Sequence, residues 1–104
     1  MQVNIREGSV TFWTSPDKIN FRDDSRVVFF KAYPKGGEIS FIKNPDGSLV
    51  YTYSFFGRKT FLTYNSDKVP YTKRNFFALT WSIKKQKIVL YHNGKQVKSK
   101  KLNL

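Results

Sequence analysis

From Phe76 to Ser82 the apolar positions alternate: Phe77, Leu79 and Trp81 fall on one side of an extended segment, Phe76, Ala78 and Thr80 on the other. A β-strand has a side-chain period of two, so such a run lays one face on a core. The polar run Lys84-Lys85-Gln86-Lys87 interrupts it, and Ile88 to His92 resumes an extended pattern. Asn93-Gly94 follows, the pair that best tolerates positive φ at both central positions of a two-residue type I′ hairpin. With Lys95, Gln96 and Val97 as the returning strand, residues 76–97 predict a three-stranded meander.

The same period recurs upstream. Gln2 to Arg6 and Val10 to Thr14 are strand candidates, the second with Val10, Phe12 and Thr14 opposite Thr11 and Trp13. Ile19 to Ser25 is polar and irregular and reads as a loop crossing between sheets. Arg26 to Lys31 is an apolar run bounded by charges, as expected of a buried central strand. Tyr33 to Gly37 is a loop, and Glu38 to Lys43 sets Ile39 and Phe41 against Ser40 and Ile42. Asn44-Pro45-Asp46-Gly47 is a strong turn signal. Leu49 to Phe56 alternates Leu49, Tyr51, Tyr53 and Phe55 with Val50, Thr52, Ser54 and Phe56. Gly57-Arg58 predicts a turn before Lys59 to Tyr64, and Asn65 to Lys68 another. Val69 to Thr72 is extended, with Pro70 making it an edge or a connector. Ser99 to Leu104 is a last strand or a frayed end. Eight to ten strands at this spacing predict one all-β domain over residues 1–104, a small antiparallel β-sandwich of the jelly-roll kind. Ten Phe, six Tyr and two Trp against only two alanines, Ala32 and Ala78, agree with that class.

Two of these runs carry a family resemblance. Ala78-Leu79-Thr80-Trp81, followed after a short gap by Leu90-Tyr91-His92-Asn93-Gly94-Lys95, resembles the signature of laminin-G modules and concanavalin A-like jelly rolls. Gly8-Ser9-Val10-Thr11-Phe12-Trp13 is similar to a strand near the start of those modules, with Ser15-Pro16 in the place of their short turn. The two pieces occur in the family's order. The chain departs from the pattern at Arg74 or Asn75, where the family usually carries a Trp, and it is shorter than typical members. The resemblance implies a lectin-like sandwich that binds a glycan, with an extracellular or surface location.

Charge sharpens the choice of ligand. The formal net charge is +12. Residues 1–67 hold nine Lys and Arg against seven Asp and Glu, whereas residues 68–104 hold ten Lys and Arg and no acid. Uncompensated positive charge draws in polyanions: an acidic glycan, nucleic acid, anionic lipid or an acidic protein surface. Lys84, Lys85, Lys87, Lys95, Lys98, Lys100 and Lys101 form the expected polyanion patch. Lysines also protect sheet edges from pairing with other chains, and that explanation stands beside the first. The predominance of Lys over Arg points to diffuse attraction more than to a shaped anion pocket. For the glycan itself, loops and strand ends that mix aromatics with cations nominate Tyr53, Arg58, Lys59, Tyr64, Tyr71, Lys73 and Arg74.

Other chemistry finds little material. Cysteine is absent, which excludes disulfides and thiolate metal sites. Glu7 and Glu38 are the only glutamates and lie in no paired-carboxylate motif; the adjacent Asp23 and Asp24 would point to opposite faces of a strand. His92, the sole histidine, precedes a turn and is expected to face solvent, with no nucleophile or acid nominated to join it. An enzyme is not expected, nor a cofactor. Asp17, Asn20, Asp23 and Asp24 gather the only oxygen-rich loop that suits Ca²⁺, but they meet no ligand spacing rule and read as turn chemistry. No apolar run approaches the roughly 20 residues of a membrane span, and no leader segment is visible at the N-terminus. Two alternatives remain open: a structural or adhesion module of a larger assembly or homo-oligomer, extracellular or in a virion, and non-specific nucleic-acid binding, for which no RRM, KH or OB signature is present.

Overall fold

The structure, a computed structural model, describes residues 4–70 and 72–102. One sheet contains β1 (Glu7–Thr14), β6 (Asn75–Ser82), β7 (Lys87–His92) and β8 (Lys95–Lys101), in the order β1-β6-β7-β8. The other contains β2 (Val27–Ala32), β3 (Gly37–Lys43), β4 (Ser48–Phe55) and β5 (Arg58–Asn65), in sequence order. All pairings are antiparallel. The chain is an antiparallel β-sandwich that changes layer twice, through residues 15–26 and through residues 66–74. The second crossing includes a 3₁₀ turn at Ser66–Lys68.

Alternation builds the core as the sequence predicts. Phe77, Leu79 and Trp81 of β6, with Ile88 and Leu90 of β7, face Ile39 and Phe41 of β3, Leu49, Tyr51 and Tyr53 of β4, and Leu62 of β5. Phe12, Phe29, Phe41 and Phe77 form a ring cluster between the sheets, with Phe29 and Phe41 centroids 5.4 Å apart. Two core tyrosines solve the problem of a buried hydroxyl by donating to backbone carbonyls. Tyr51 reaches Thr80 across the sandwich (2.8 Å), and Tyr53 reaches Ile5 (2.5 Å). Burial raises both phenols, Tyr53 to about 12. The Trp81 indole donates to the Asn4 carbonyl (2.7 Å) and lies over Gly8, its register partner. A Cβ on Gly8 would stand 2.7 Å from the indole ring. Gly8→Val is therefore expected to cost about 1–3 kcal/mol through overpacking, read by denaturant unfolding.

Several expectations need correction. Asn4 to Arg6 forms no strand, and Gln2 and Val3 lie outside the described residues. Arg26 to Lys31 is not a buried central strand: β2 is an edge strand, and Val28 is 45% exposed. Its apolar residues serve two purposes, Phe29 and Phe30 packing on the core while Val28 faces outward. The β4–β5 turn sits one residue early, at Phe56-Gly57, both with positive φ (49° and 83°). A type I′ turn needs that geometry, and the pairing of Phe55 with Arg58 fixes its place. The Asn93-Gly94 turn forms as expected (51° and 84°). The returning strand is longer than Lys95 to Val97, running to Lys101 with a bulge opposite Leu90 and Tyr91.

Candidate functional site

The outer face of the β1-β6-β7-β8 sheet collects the residues with chemistry to offer. Register aligns them in rows: Glu7, Ser82, Lys87 and Lys101 at one end, then Ser9, Thr80, Val89 and Ser99, then Thr11, Ala78, Tyr91 and Gln96, and finally Trp13 with Phe76. Six residue steps separate Glu7 from Trp13, about 20 Å of strand. The floor between is mainly hydroxyls and short side chains.

The first end is concave. A depression of roughly 320 Å³ is lined by Glu7, Thr80, Ser82, Lys85, Lys87 and Tyr91, among others. Glu7 accepts a hydrogen bond from the Ser82 hydroxyl (3.0 Å), and the same hydroxyl oxygen accepts from the Lys85 backbone N–H (3.1 Å), tying the β6–β7 turn to the sheet. Both lysines are exposed. At the far end Trp13 is 57% exposed, its ring 5.0 Å from Phe76 and 4.8 Å from the Arg74 guanidinium carbon. Among the described residues, no Lys or Arg from Lys68 to Lys101 has an acid within ion-pair distance.

No family model, curated protein or solved structure matches the chain.

The sequence-nominated residues divide among several places. Lys85, Lys87 and Lys101 reach the outer face, and Lys84 stands exposed on the adjoining turn. Lys95, Lys98 and Lys100 pair with His92, Leu90 and Ile88, so register puts them on the inner side of β8 at the sandwich rim. All three are exposed there and flank an unpaired strand edge, the arrangement that also deters edge-to-edge association. Arg74 joins the outer face beside Trp13, with Lys73 exposed next to it. Arg58 and Lys59 are exposed on the other sheet. Tyr53 is buried with its hydroxyl bonded to Ile5, and Tyr64 is buried against His92, so neither ring offers a stacking face. Tyr71 lies outside the described residues. Trp13, Phe76 and Tyr91 were not singled out from the sequence, although alternation sets them opposite Phe12, Phe77 and Leu90, which face the core; Glu7 was read as the end of a strand and gave no such signal.

The expectation that His92 faces solvent is overturned: it is 7% exposed. Its Nε2 lies 2.9 Å from Asn75 Oδ1 and its Nδ1 3.2 Å from the Tyr64 hydroxyl. Asn75 uses its amide nitrogen on the Pro70 and Lys73 carbonyls (2.8 and 3.1 Å), so its oxygen is the acceptor and His92 carries its proton on Nε2. Tyr64 then donates to Nδ1. Phe77 stacks on the imidazole at 4.9 Å. Desolvation lowers the imidazole pKa and keeps it neutral. This histidine joins the two sheets and the β5–β6 crossing, and is fully engaged.

The oxygen-rich loop resolves into local turns and an internal cation. Asn20 accepts from the Arg22 N–H (2.8 Å), Asp17 from the Ser15 hydroxyl, and Asp23 from the Ser25 N–H (3.0 Å) and hydroxyl. Lys43, wholly buried, sends its ammonium into this loop, donating to the Asp23 and Ser25 carbonyls (2.7 Å each) and to Asp23 Oδ1 (3.3 Å). Serine hydrogen bonds lead the causes that hold the Asp23 and Asp46 carboxyls below their usual range. No group of three or more His, Cys, Asp or Glu placed to hold a metal ion occurs among the described residues.

Proposed function

We propose that the protein is a non-catalytic, lectin-like binding module whose ligand is an anionic glycan, held on the outer face of the β1-β6-β7-β8 sheet. The observation that carries this reading is the depression where Lys85 and Lys87 flank Tyr91, Glu7 and the Thr80 and Ser82 hydroxyls. Ammonium groups there suit sulfate or uronate substituents, while hydroxyls and a carboxylate suit ring hydroxyls, and Tyr91 supplies an amphipathic ring. The two sequence pieces that resemble laminin-G modules are also neighbours in space: Gly8 pairs with Trp81 and Thr11 with Ala78. A non-catalytic role agrees with a buried, engaged His92 and with Glu7 and Glu38 on opposite layers.

The test is calorimetric titration with sulfated, uronic-acid and neutral oligosaccharides at low and moderate salt. Acidic sugars are expected to bind and neutral ones to bind far more weakly, with affinity falling as salt rises. Lys85→Ala and Lys87→Ala are each expected to weaken binding about tenfold, the scale of one charged hydrogen bond. Absence of binding to every acidic glycan, or indifference to both substitutions, rejects the reading.

A second reading, a structural or adhesion module of a larger assembly, rests on the opposite layer. There the outer row Val28-Ile42-Val50 and the half-exposed Phe61 make a face less charged than the first. Sedimentation showing a strict monomer at high concentration counts against it.

A further inference from the structure

The outer face has a second chemically distinct end, and its geometry differs from that of the lysine-flanked depression. Arg74 is the only arginine in the C-terminal third, and it is not loose. Its guanidinium stands over the Trp13 ring at 4.8 Å, within cation–π range, and no carboxylate among the described residues pairs with it. A guanidinium held by a ring face keeps its N–H fork free at the edge, the geometry that grips a carboxylate or sulfate through two parallel hydrogen bonds. The loop that carries Arg74 is itself pinned, because the neighbouring Asn75 side chain holds the Pro70 and Lys73 carbonyls. Trp13 remains 57% exposed with Arg74 in place, beside a half-buried Phe76. This is an oriented oxyanion contact with an apolar platform, whereas the opposite end offers flexible ammonium groups around hydroxyls.

We infer that Trp13, Arg74 and Phe76 form a second subsite of the same ligand surface, which takes a sugar ring bearing a carboxylate or sulfate about 20 Å along the sheet from Glu7 at the far side of the depression, so that the natural ligand is a polysaccharide lying along the sheet and not a terminal sugar. The inference rests on the glycan reading above. The floor between the ends supports a sugar chain over a nucleic acid. Ser9, Thr11, Thr80 and Ser99 present hydroxyls, Ala78 and Val89 are short, and no row between the ends carries a ring other than Tyr91. Single-stranded nucleic acid calls for successive stacking rings along its path.

The experiment measures affinity for a size ladder of sulfated and of uronic-acid oligosaccharides, with oligothymidylate as a third ligand. Wild-type protein, Trp13→Ala, Arg74→Ala, Arg74→Lys and Lys85→Ala are compared, and thermal melts verify folding. Wild-type affinity is expected to climb with length until a fragment spans both ends and then to level off. Trp13→Ala and Arg74→Ala are expected to abolish that climb, losing about tenfold on long fragments, with Arg74→Lys close to Arg74→Ala because the fork is lost and the charge is not. Lys85→Ala is expected to weaken long and short fragments alike. Wild-type binding that is already maximal for the shortest fragments, or long-fragment affinity unmoved by Trp13→Ala and Arg74→Ala, overturns the second subsite while leaving the first reading intact. No binding to any acidic fragment removes both. Tighter binding to oligothymidylate than to any sugar, lost in Trp13→Ala, overturns it in favour of nucleic acid. Should Trp13→Ala fail to fold, Arg74→Lys decides alone, since Arg74 lies on an exposed loop.

Discussion

Lys43→Met is expected to lower the unfolding free energy by about 2–4 kcal/mol and to loosen the crossing between β1 and β2. The position is core-facing, paired with Leu49 and Val27. Its aliphatic stem packs inside while its ammonium satisfies two carbonyls and shares the Asp23 carboxylate. Methionine keeps the stem and removes all three hydrogen bonds, so the Asp23 and Ser25 carbonyls lose their partner. The loop has a second clamp, Arg22 donating to the Ser66 and Val69 carbonyls. The variant should therefore stay folded at moderate temperature, with raised hydrogen exchange concentrated in residues 20–26. A melting temperature unchanged from the parent would mean that the ammonium contributes nothing net. Since the ammonium already occupies the oxygen-lined place in this loop, added Ca²⁺ is expected to leave the parent's melt unchanged.

The second large effect lies at His92. Asn75→Ala is expected to cost about 2–4 kcal/mol, because one substitution strands the Pro70 and Lys73 carbonyls and the His92 Nε2–H together. The network also makes stability depend on pH. Burial holds the folded-state pKa of His92 below its ordinary value of 6.5. Above 6.5 neither the folded nor the unfolded histidine is protonated and the fold loses nothing. As pH falls below that value the unfolded chain takes up a proton first, so stability declines until the folded-state pKa is passed. Denaturant titrations between about pH 7 and pH 5 should show this slope in the parent. His92→Gln, which cannot titrate, should flatten it. The carboxylates Asp23 and Asp46, also lowered, act in a separate window below their ordinary value of 3.8. A parent whose stability is level across the first window would remove the claim.

Much of the fold was legible because a strand's two-residue period is written locally. The parity of Phe77, Leu79 and Trp81, or of Leu49, Tyr51 and Tyr53, needs no knowledge of partners, and those residues are the core. Asn93-Gly94 worked for the same reason: positive φ is a property of the residues themselves. The errors share the opposite cause. Arg26 to Lys31 has the composition of a central strand, but centrality depends on what pairs alongside, and among the described residues nothing pairs beyond β2. His92 sits next to a turn, and turns are usually wet; its burial follows from Tyr64 and Asn75, which lie 28 and 17 residues away. Tyr53 and Tyr64 looked like ligand rings only while their hydroxyl partners were unknown.

By itself the sequence determined the layer type, the inward and outward parity of most strands, the turn at Asn93-Gly94 and the unopposed charge after Asp67, since each depends on neighbours along the chain. Only the tertiary structure decided that β1 lies beside β6, which lays Trp13 and Arg74 on the same face as Lys85 and Lys87, and that the inward lysine of β3 meets carbonyls 20 and 18 residues before it. Register between distant strands is set by how two whole sheets close over one core, and no local pattern of polar and apolar residues encodes it.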